Sequence, residues 1–287
     1  MPFPMFLVQQ DDLLWAVLRA PFAGCDESGF AAYDIKSGSR ATEISTTKGA
    51  VACHIAVDDS DIYCANYTGG SVFKAPDLLE KHEGSSADPV RQTAPHPHSA
   101  FFSPDKKYLL SCDLGLDTVF VYDRGLKLIS TAQVPAGAGV RHLVFSKDGS
   151  FVYCVNEMGA GISVFSWRQG RLQYIDTVSV LPAGFQKTGS GAAIKLSKDG
   201  RLLYVTERAS GSIVTLEADG AQLRLLGHTD CRGKEPRDFT LLADDRFAVC
   251  TNQFSDGLSL FQISGSGIPV WIDTVGMEAP LCAVELH

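Results

Sequence analysis

Five side chains of this 287-residue sequence are of types that move protons and hold anions: His98, Arg141, Glu157, Arg208 and Arg237. An imidazole or a carboxylate takes a proton from water or gives one to a leaving group. A guanidinium offers a fixed fork of donors that matches phosphate or carboxylate oxygens and steadies a developing oxyanion. His98 and Glu157 are therefore candidate proton-transfer groups, and Arg141, Arg208 and Arg237 candidate anion binders. Asn156 and Asn252 stand beside Glu157 and Gln253, where an amide can bind substrate or close a turn as an Asx residue. His96 and His98 are metal-ligand types, but Pro97 separates them and no third ligand accompanies them. No metal and no cofactor is expected. Bland readings stand beside these: His54 and His142 as packed core residues, and Arg141 and Arg237 as structural partners of Asp113 or Asp238.

The candidates are far apart in sequence yet occupy equivalent places in a repeated unit. Residues 95–123 read PHPHSAFFSPDKKYLLSCDLGLDTVFVYD, three short runs rich in β-branched and aromatic residues, separated by turn signals. The pattern returns over residues 141–167, 192–217 and 237–263, and in poorer copies over 53–74 and 5–34. Asn66, Asp113, Asn156, Glu207 and Asn252 are spaced by 47, 43, 51 and 45 residues. A period of roughly 40–50 residues with three or four strands per unit predicts a β-propeller. Aligned on Ser103, Ser146 and Ser197, the copies place His98, Arg141, Ala192 and Arg237 in one column at the start of the innermost strand. A second column holds Tyr67, Leu114, Glu157, Arg208 and Gln253, with the Asn/Asp/Glu series beside it. Different polar residues in one column are what a shared pocket fed by several blades would need, so the candidates are expected at one mouth of a channel.

The first copy is expected to contain strands over residues 5–9, 13–18 and 29–34, a loop over 21–28 and an outer strand near 42–46. Residues 75–94 read as a surface loop with a short helix at 76–81, and 181–190 as an insertion that lengthens one repeat. Residues 281–285 read as the lone strand of a seventh unit. One domain over 1–287 with six complete blades and an incomplete seventh is the expectation. A net charge of −8 without a basic cluster argues against nucleic acid and anionic membrane as partners. The eight cysteines lack CxxC or zinc spacing and read as buried small hydrophobes in a reducing compartment. The first residues, MPFPMFLVQQDDLLW, have no basic n-region and too short an apolar run for a signal peptide or span. A cytoplasmic protein acting on a small molecule is expected; the oligomeric state is not legible.

Several motifs then carry a resemblance. HPHSAFFSPD, the RHLVFS element at Arg141, VNE ending in Glu157, the LPAGF insertion and PRDF around Arg237 resemble the seven-bladed β-propeller lactonase family over almost the whole chain. That family includes propeller-type 6-phosphogluconolactonases and is similar to fungal carboxymuconate lactonizing enzymes. The resemblance implies a catalytic His, Arg, Glu and Arg, mapping to His98, Arg141 and Glu157, with Arg208 or Arg237 as the last. It implies hydrolysis of an acidic sugar lactone, 6-phosphogluconolactone to 6-phosphogluconate in the pentose phosphate pathway, without a cofactor. A lactonizing cyclase and a non-catalytic propeller that binds an anion or a protein are the alternatives. The fourth inner strand departs from the family: its acid and His are replaced in Ala192-Ala193-Ile194-Lys195.

Overall fold

The computed structural model describes residues 4–19, 26–59, 61–186 and 188–287, so residues 21–25 of the expected first loop lie outside the described residues. The chain divides into two compact units, Met1–Gly139 with Leu286–His287, and Val140–Glu285. Among the described residues each unit contains three four-stranded sheets, all antiparallel and in sequential order. In the first unit, sheet 1 comprises Pro4–Gln10, Leu13–Leu18, Gly29–Asp34 and Ser45–Thr46. Sheet 2 comprises Ala52–Asp58, Asp61–Asn66, Ser71–Lys74 and Leu78–Lys81. Sheet 3 comprises Phe101–Phe102, Tyr108–Asp113, Thr118–Asp123 and Leu128–Gln133. In the second unit, sheet 4 comprises Val140–Phe145, Phe151–Asn156, Gly161–Arg168 and Arg171–Ser179. Sheet 5 comprises Gly191–Leu196, Leu202–Glu207, Ser212–Asp219 and Gln222–Asp230. Sheet 6 comprises Pro236–Leu242, Phe247–Asn252, Gly257–Ile263 and Pro269–Gly276.

The repeat is maintained by two local devices. In the first, a serine after the first strand donates to an aspartate two residues on, at 2.6 Å for each of Ser103–Asp105, Ser146–Asp148 and Ser197–Asp199. These aspartates are the turn residues their spacing implies; the serine hydrogen bond is the largest reason their carboxyls lie below the ordinary value. In the second, a buried tyrosine of the second strand reaches the turn between third and fourth strands of the next sheet. Tyr63 donates to the Arg124 carbonyl at 2.6 Å, Tyr153 to Gly220 at 2.7 Å and Tyr204 to Gly267 at 2.9 Å. Each phenol lets a large apolar ring fill the space between sheets while its hydroxyl satisfies a carbonyl. Apolar clusters lie on either side of sheet 5, one built on Tyr153, Ile194 and Leu203 and the other on Tyr204, Phe239 and Phe261.

Three expectations need correction. Residues 76–81 contain no helix: Leu78–Lys81 is the fourth strand of sheet 2, paired with Ser71–Lys74. An unpaired edge there recruits the segment, and that tertiary pairing overrides its local helix propensity. The stretch after it is not all surface, because His82 and Gln92 are buried. Residues 281–285 form no strand; they run beside the first strand of sheet 6, where Thr240 Oγ1 donates to the Ala283 carbonyl at 2.7 Å and Ala283 N donates to Asp238 at 3.0 Å. Cys53, Cys64, Cys112, Cys154, Cys231 and Cys250 are buried and form no disulfide, as the reading of the cysteines as small buried hydrophobes predicts. Burial pushes the Cys64 and Cys250 thiols up.

The tyrosine latch predicts an alkaline limit to stability. Burial raises the Tyr153 phenol to about 12 from an ordinary 10.0. The folded state then holds its proton more tightly than the unfolded chain, so this stability is whole below about pH 10 and is lost as pH rises toward 12. Tyr153→Phe is expected to cost about 0.5–1.5 kcal/mol at pH 7 and to flatten that alkaline loss, measured by urea unfolding across pH.

Candidate active site

One backbone irregularity recurs in the first strand of every sheet. The pairing of first with second strand slips by one residue between Pro4 and Phe6, Ala52 and His54, Val140 and His142, Gly191 and Ile194, and Pro236 and Asp238. In sheet 3 the same slip lies between the isolated bridge Pro97–Asp113 and the pair Phe101–Leu110. A bulge leaves one residue out of the ladder and re-aims its side chain. Cys53, Arg141 and Arg237 are those extra residues in their sheets, and His98 and Ala192 lie within the slips of sheets 3 and 5. The column picked out by aligning the repeats is therefore a structural position, one bulge per sheet.

In the second unit the bulges feed a chain of charges. Arg141 Nη1 donates to Glu157 Oε2 at 2.8 Å, and Arg208 Nη2 lies 3.2 Å from the same oxygen. Arg208 Nη1 continues to Glu235 Oε1 at 3.2 Å. Backbone carbonyls complete the guanidinium shells: Arg141 Nε donates to Ala192, and Arg208 to Ser190 and Gly191. Arg141 and Glu157 are only 3% and 4% exposed, so these charges are held in place rather than solvated. Gly191 is required beneath them, since a Cβ there would meet the Asn156 carbonyl at 2.6 Å. Arg237 Nη1 donates to Gln253 Oε1 at 3.4 Å, and the Gln253 amide donates to the Glu235 carbonyl. Among the described residues Asp113 pairs with His82, and Asp238 lies 4.0 Å from Lys195.

In the first unit His98 is 5% exposed. Its amide donates to the Cys112 carbonyl at 2.7 Å. Cys53 Sγ donates to the His98 carbonyl at 3.3 Å and lies 3.8 Å from Nδ1, while the Tyr67 ring meets the imidazole edge-on with centroids 5.3 Å apart. His96 stacks on Tyr67 and bonds its carbonyl at 3.0 Å, so it serves the scaffold of this segment. Asn156 and Asn252 turn inward in their own sheets. Asn156 bonds Ser163, and Asn252 bonds Ser259 and the Cys231 carbonyl, each tying the second strand to the third. Cys53 and Glu235 were missed in the sequence. Cys53 was discoverable, because it occupies the His98 column in sheet 2; Glu235 precedes Pro236 outside any repeated column and gave no signal.

His142 is 7% exposed on the first strand of sheet 4, and His54 packs against Phe6 and Phe101. No group of three or more His, Cys, Asp or Glu suited to a metal exists among the described residues. Among the described residues no helix is long and apolar enough to cross a membrane.

The buried charge chain changes what a substitution should do. A carboxylate used for proton transfer alone would be replaceable at little cost in stability. With two guanidiniums sharing its Oε2, Glu157→Ala leaves buried positive charge uncompensated and is expected to cost about 3–5 kcal/mol in urea unfolding. Glu157→Gln, which keeps the shape and an acceptor, should cost less.

The comparisons agree with this geometry. The family model described as lactonase, 7-bladed beta-propeller, matches residues 1–283. An uncharacterized protein of Lactococcus lactis is 34% identical over 83% of this chain and 75% of its own length. A Bacillus subtilis protein named 6-phosphogluconolactonase is 28% identical over 97% of this chain and 85% of its own. The solved structure of the Pseudomonas aeruginosa periplasmic gluconolactonase superposes with a TM-score of 0.89 at 30% identity, covering 97% of this chain and 86% of that one. A family match across nearly the whole sequence, six sheets of blade topology and the repeated bulge lead to one conclusion: the chain belongs to the seven-bladed β-propeller lactonase family.

Proposed function

We propose that this protein hydrolyses a sugar lactone, with an acidic lactone such as 6-phosphogluconolactone as substrate and 6-phosphogluconate as product. The observation that carries the reading is the buried pair of guanidiniums sharing Glu157, at 2.8 and 3.2 Å. Opening a cyclic ester adds water to the carbonyl carbon, places negative charge on the carbonyl oxygen, and then breaks the bond to the ring oxygen, which leaves as a hydroxyl. Arg141 and Arg208, fixed before substrate arrives, steady that oxyanion. His98 takes the proton from the attacking water and returns it to the ring oxygen. Glu157 fixes both guanidiniums, a different role from the proton transfer considered for it in the sequence. Arg237 holds the acidic group of the substrate, and Asn156 and Asn252 support the turns that present Glu157 and Gln253. The relatives' names point to gluconolactones with and without phosphate.

The family description supports a single propeller domain over 1–287. The six buried thiols, none in a disulfide, suit a reducing cytoplasm, where 6-phosphogluconate belongs to the pentose phosphate pathway.

Lactone hydrolysis, corrected for spontaneous opening, tests the reading with 6-phosphogluconolactone, gluconolactone and a carboxymuconate lactone as substrates. The phosphorylated lactone should have the highest kcat/KM, and His98→Ala should lower kcat roughly 10²–10⁴-fold. Arg237→Ala should weaken the phosphorylated lactone by about 1.5–3 kcal/mol and leave the uncharged one nearly unchanged. A parent that opens none of the three, or a His98→Ala variant at the parent rate, would overturn it.

A further inference from the structure

The residue that ends the second strand plays one part in three sheets and another in sheet 3. Asn66, Asn156 and Asn252 each donate to a serine at or near the start of the third strand, Ser71, Ser163 and Ser259. Sheet 3 has Asp113 instead, fully buried, and its two oxygens are divided between different tasks. Oδ1 accepts from the His96 amide at 2.8 Å and the Leu116 amide at 3.1 Å. Oδ2 meets His82 Nδ1 at 2.6 Å, and His82 Nε2 meets the Tyr122 hydroxyl at 2.7 Å. A carboxylate only accepts, so Nδ1 carries a proton toward Oδ2. His82 comes from the connection after sheet 2, stacks on Phe120 with centroids 3.9 Å apart, and has a side chain only 1% exposed.

Asparagine closes this turn in three other sheets at lower desolvation cost, and sheet 5 places a second buried carboxylate there, Glu207, on the backbone amides of Ser190, Ala209 and Ser210. What sets sheet 3 apart is the segment Asp113 holds. Pro95 and Pro97 remove two backbone donors ahead of His98, and the first strand proper is reduced to Phe101–Phe102. The Asp113 carboxylate supplies a fixed acceptor in place of the shortened ladder. Gly115 lets the two segments close, because a Cβ there would stand 2.0 Å from the Ala94 carbonyl.

Resting on the role proposed for His98, we propose that Asp113, oriented by His82 and Tyr122, is the positioning residue that sets the His98 imidazole for proton transfer. It touches no substrate. It fixes the His96 amide, and through Pro97 the residue that carries the imidazole. A small displacement of a proton-transfer group is enough to cost on the order of 10²-fold in rate.

The test is a double-mutant cycle on 6-phosphogluconolactone opening, with ¹⁵N NMR titration of the His98 ring on the same proteins. Asp113→Ala should lower kcat about 10–100-fold with KM changed less than about threefold, and Asp113→Asn should recover part of that loss. In a His98→Gln background Asp113→Ala should lower kcat no further, because the group it positions is gone. The His98 ring signals should shift in Asp113→Ala and return toward the parent's in Asp113→Asn. An equal loss in both backgrounds would overturn the proposal by making Asp113 independent of His98, as would unchanged ring signals in a folded Asp113→Ala protein. Should the parent open no lactone, the proposed function falls, and the ring titration alone decides whether Asp113 positions His98.

Discussion

The candidate site depends on a single backbone constraint, one extra residue in the first strand of each sheet. A regular strand would send successive side chains to alternate faces, where neighbouring sheets would bury them in the apolar layers. The slip in pairing frees one residue from that alternation at the same register each time. Because the ladder resumes on both sides in most sheets, the extra residue sits on a rigid support, as a site needing close geometric tolerance requires. Sheet 3 is the exception, with two prolines and a two-residue first strand, and there a buried carboxylate and imidazole supply the missing rigidity. The identity of the bulge residue is free to vary: sulfur at Cys53, imidazole at His98, guanidinium at Arg141 and Arg237, a methyl at Ala192.

Burying guanidinium and carboxylate groups this deeply is expensive unless each charge is matched. The chain from Arg141 through Glu157 and Arg208 to Glu235 meets that condition, with the carbonyls of Ser190, Gly191 and Ala192 taking further donors. The matching explains why these side chains are fixed before any ligand arrives, which is the property electrostatic stabilisation of an oxyanion needs. It also makes Glu157 serve stability and chemistry at once.

The fold was largely legible because the repeat reports itself several times over. Strand length, Ser-x-Asp turn and polar second-strand end recur together, and the tyrosine latch is visible afterwards as Tyr63, Tyr153 and Tyr204. The column of His98, Arg141 and Arg237 came from the same alignment, although its cause, the bulge, cannot be read from residue types. What the sequence hid was contact between non-equivalent positions. Glu235 lies in a connection, His82 in a polar segment read as surface, and Leu78–Lys81 in a run whose composition favours a helix until an open sheet edge claims it. Asn156 and Asn252 were ambiguous between amide ligand and turn residue, and only their serine partners show what they bond.

The central claim is that the arginines held by the repeated bulge and by Glu157 receive a sugar acid. A crystal of the protein soaked with 6-phosphogluconate tests it most directly. The account predicts product density with its carboxylate within hydrogen-bond distance of Arg141 or Arg208 and its phosphate on Arg237. Product bound away from all three arginines, in a protein that opens the lactone, would contradict it.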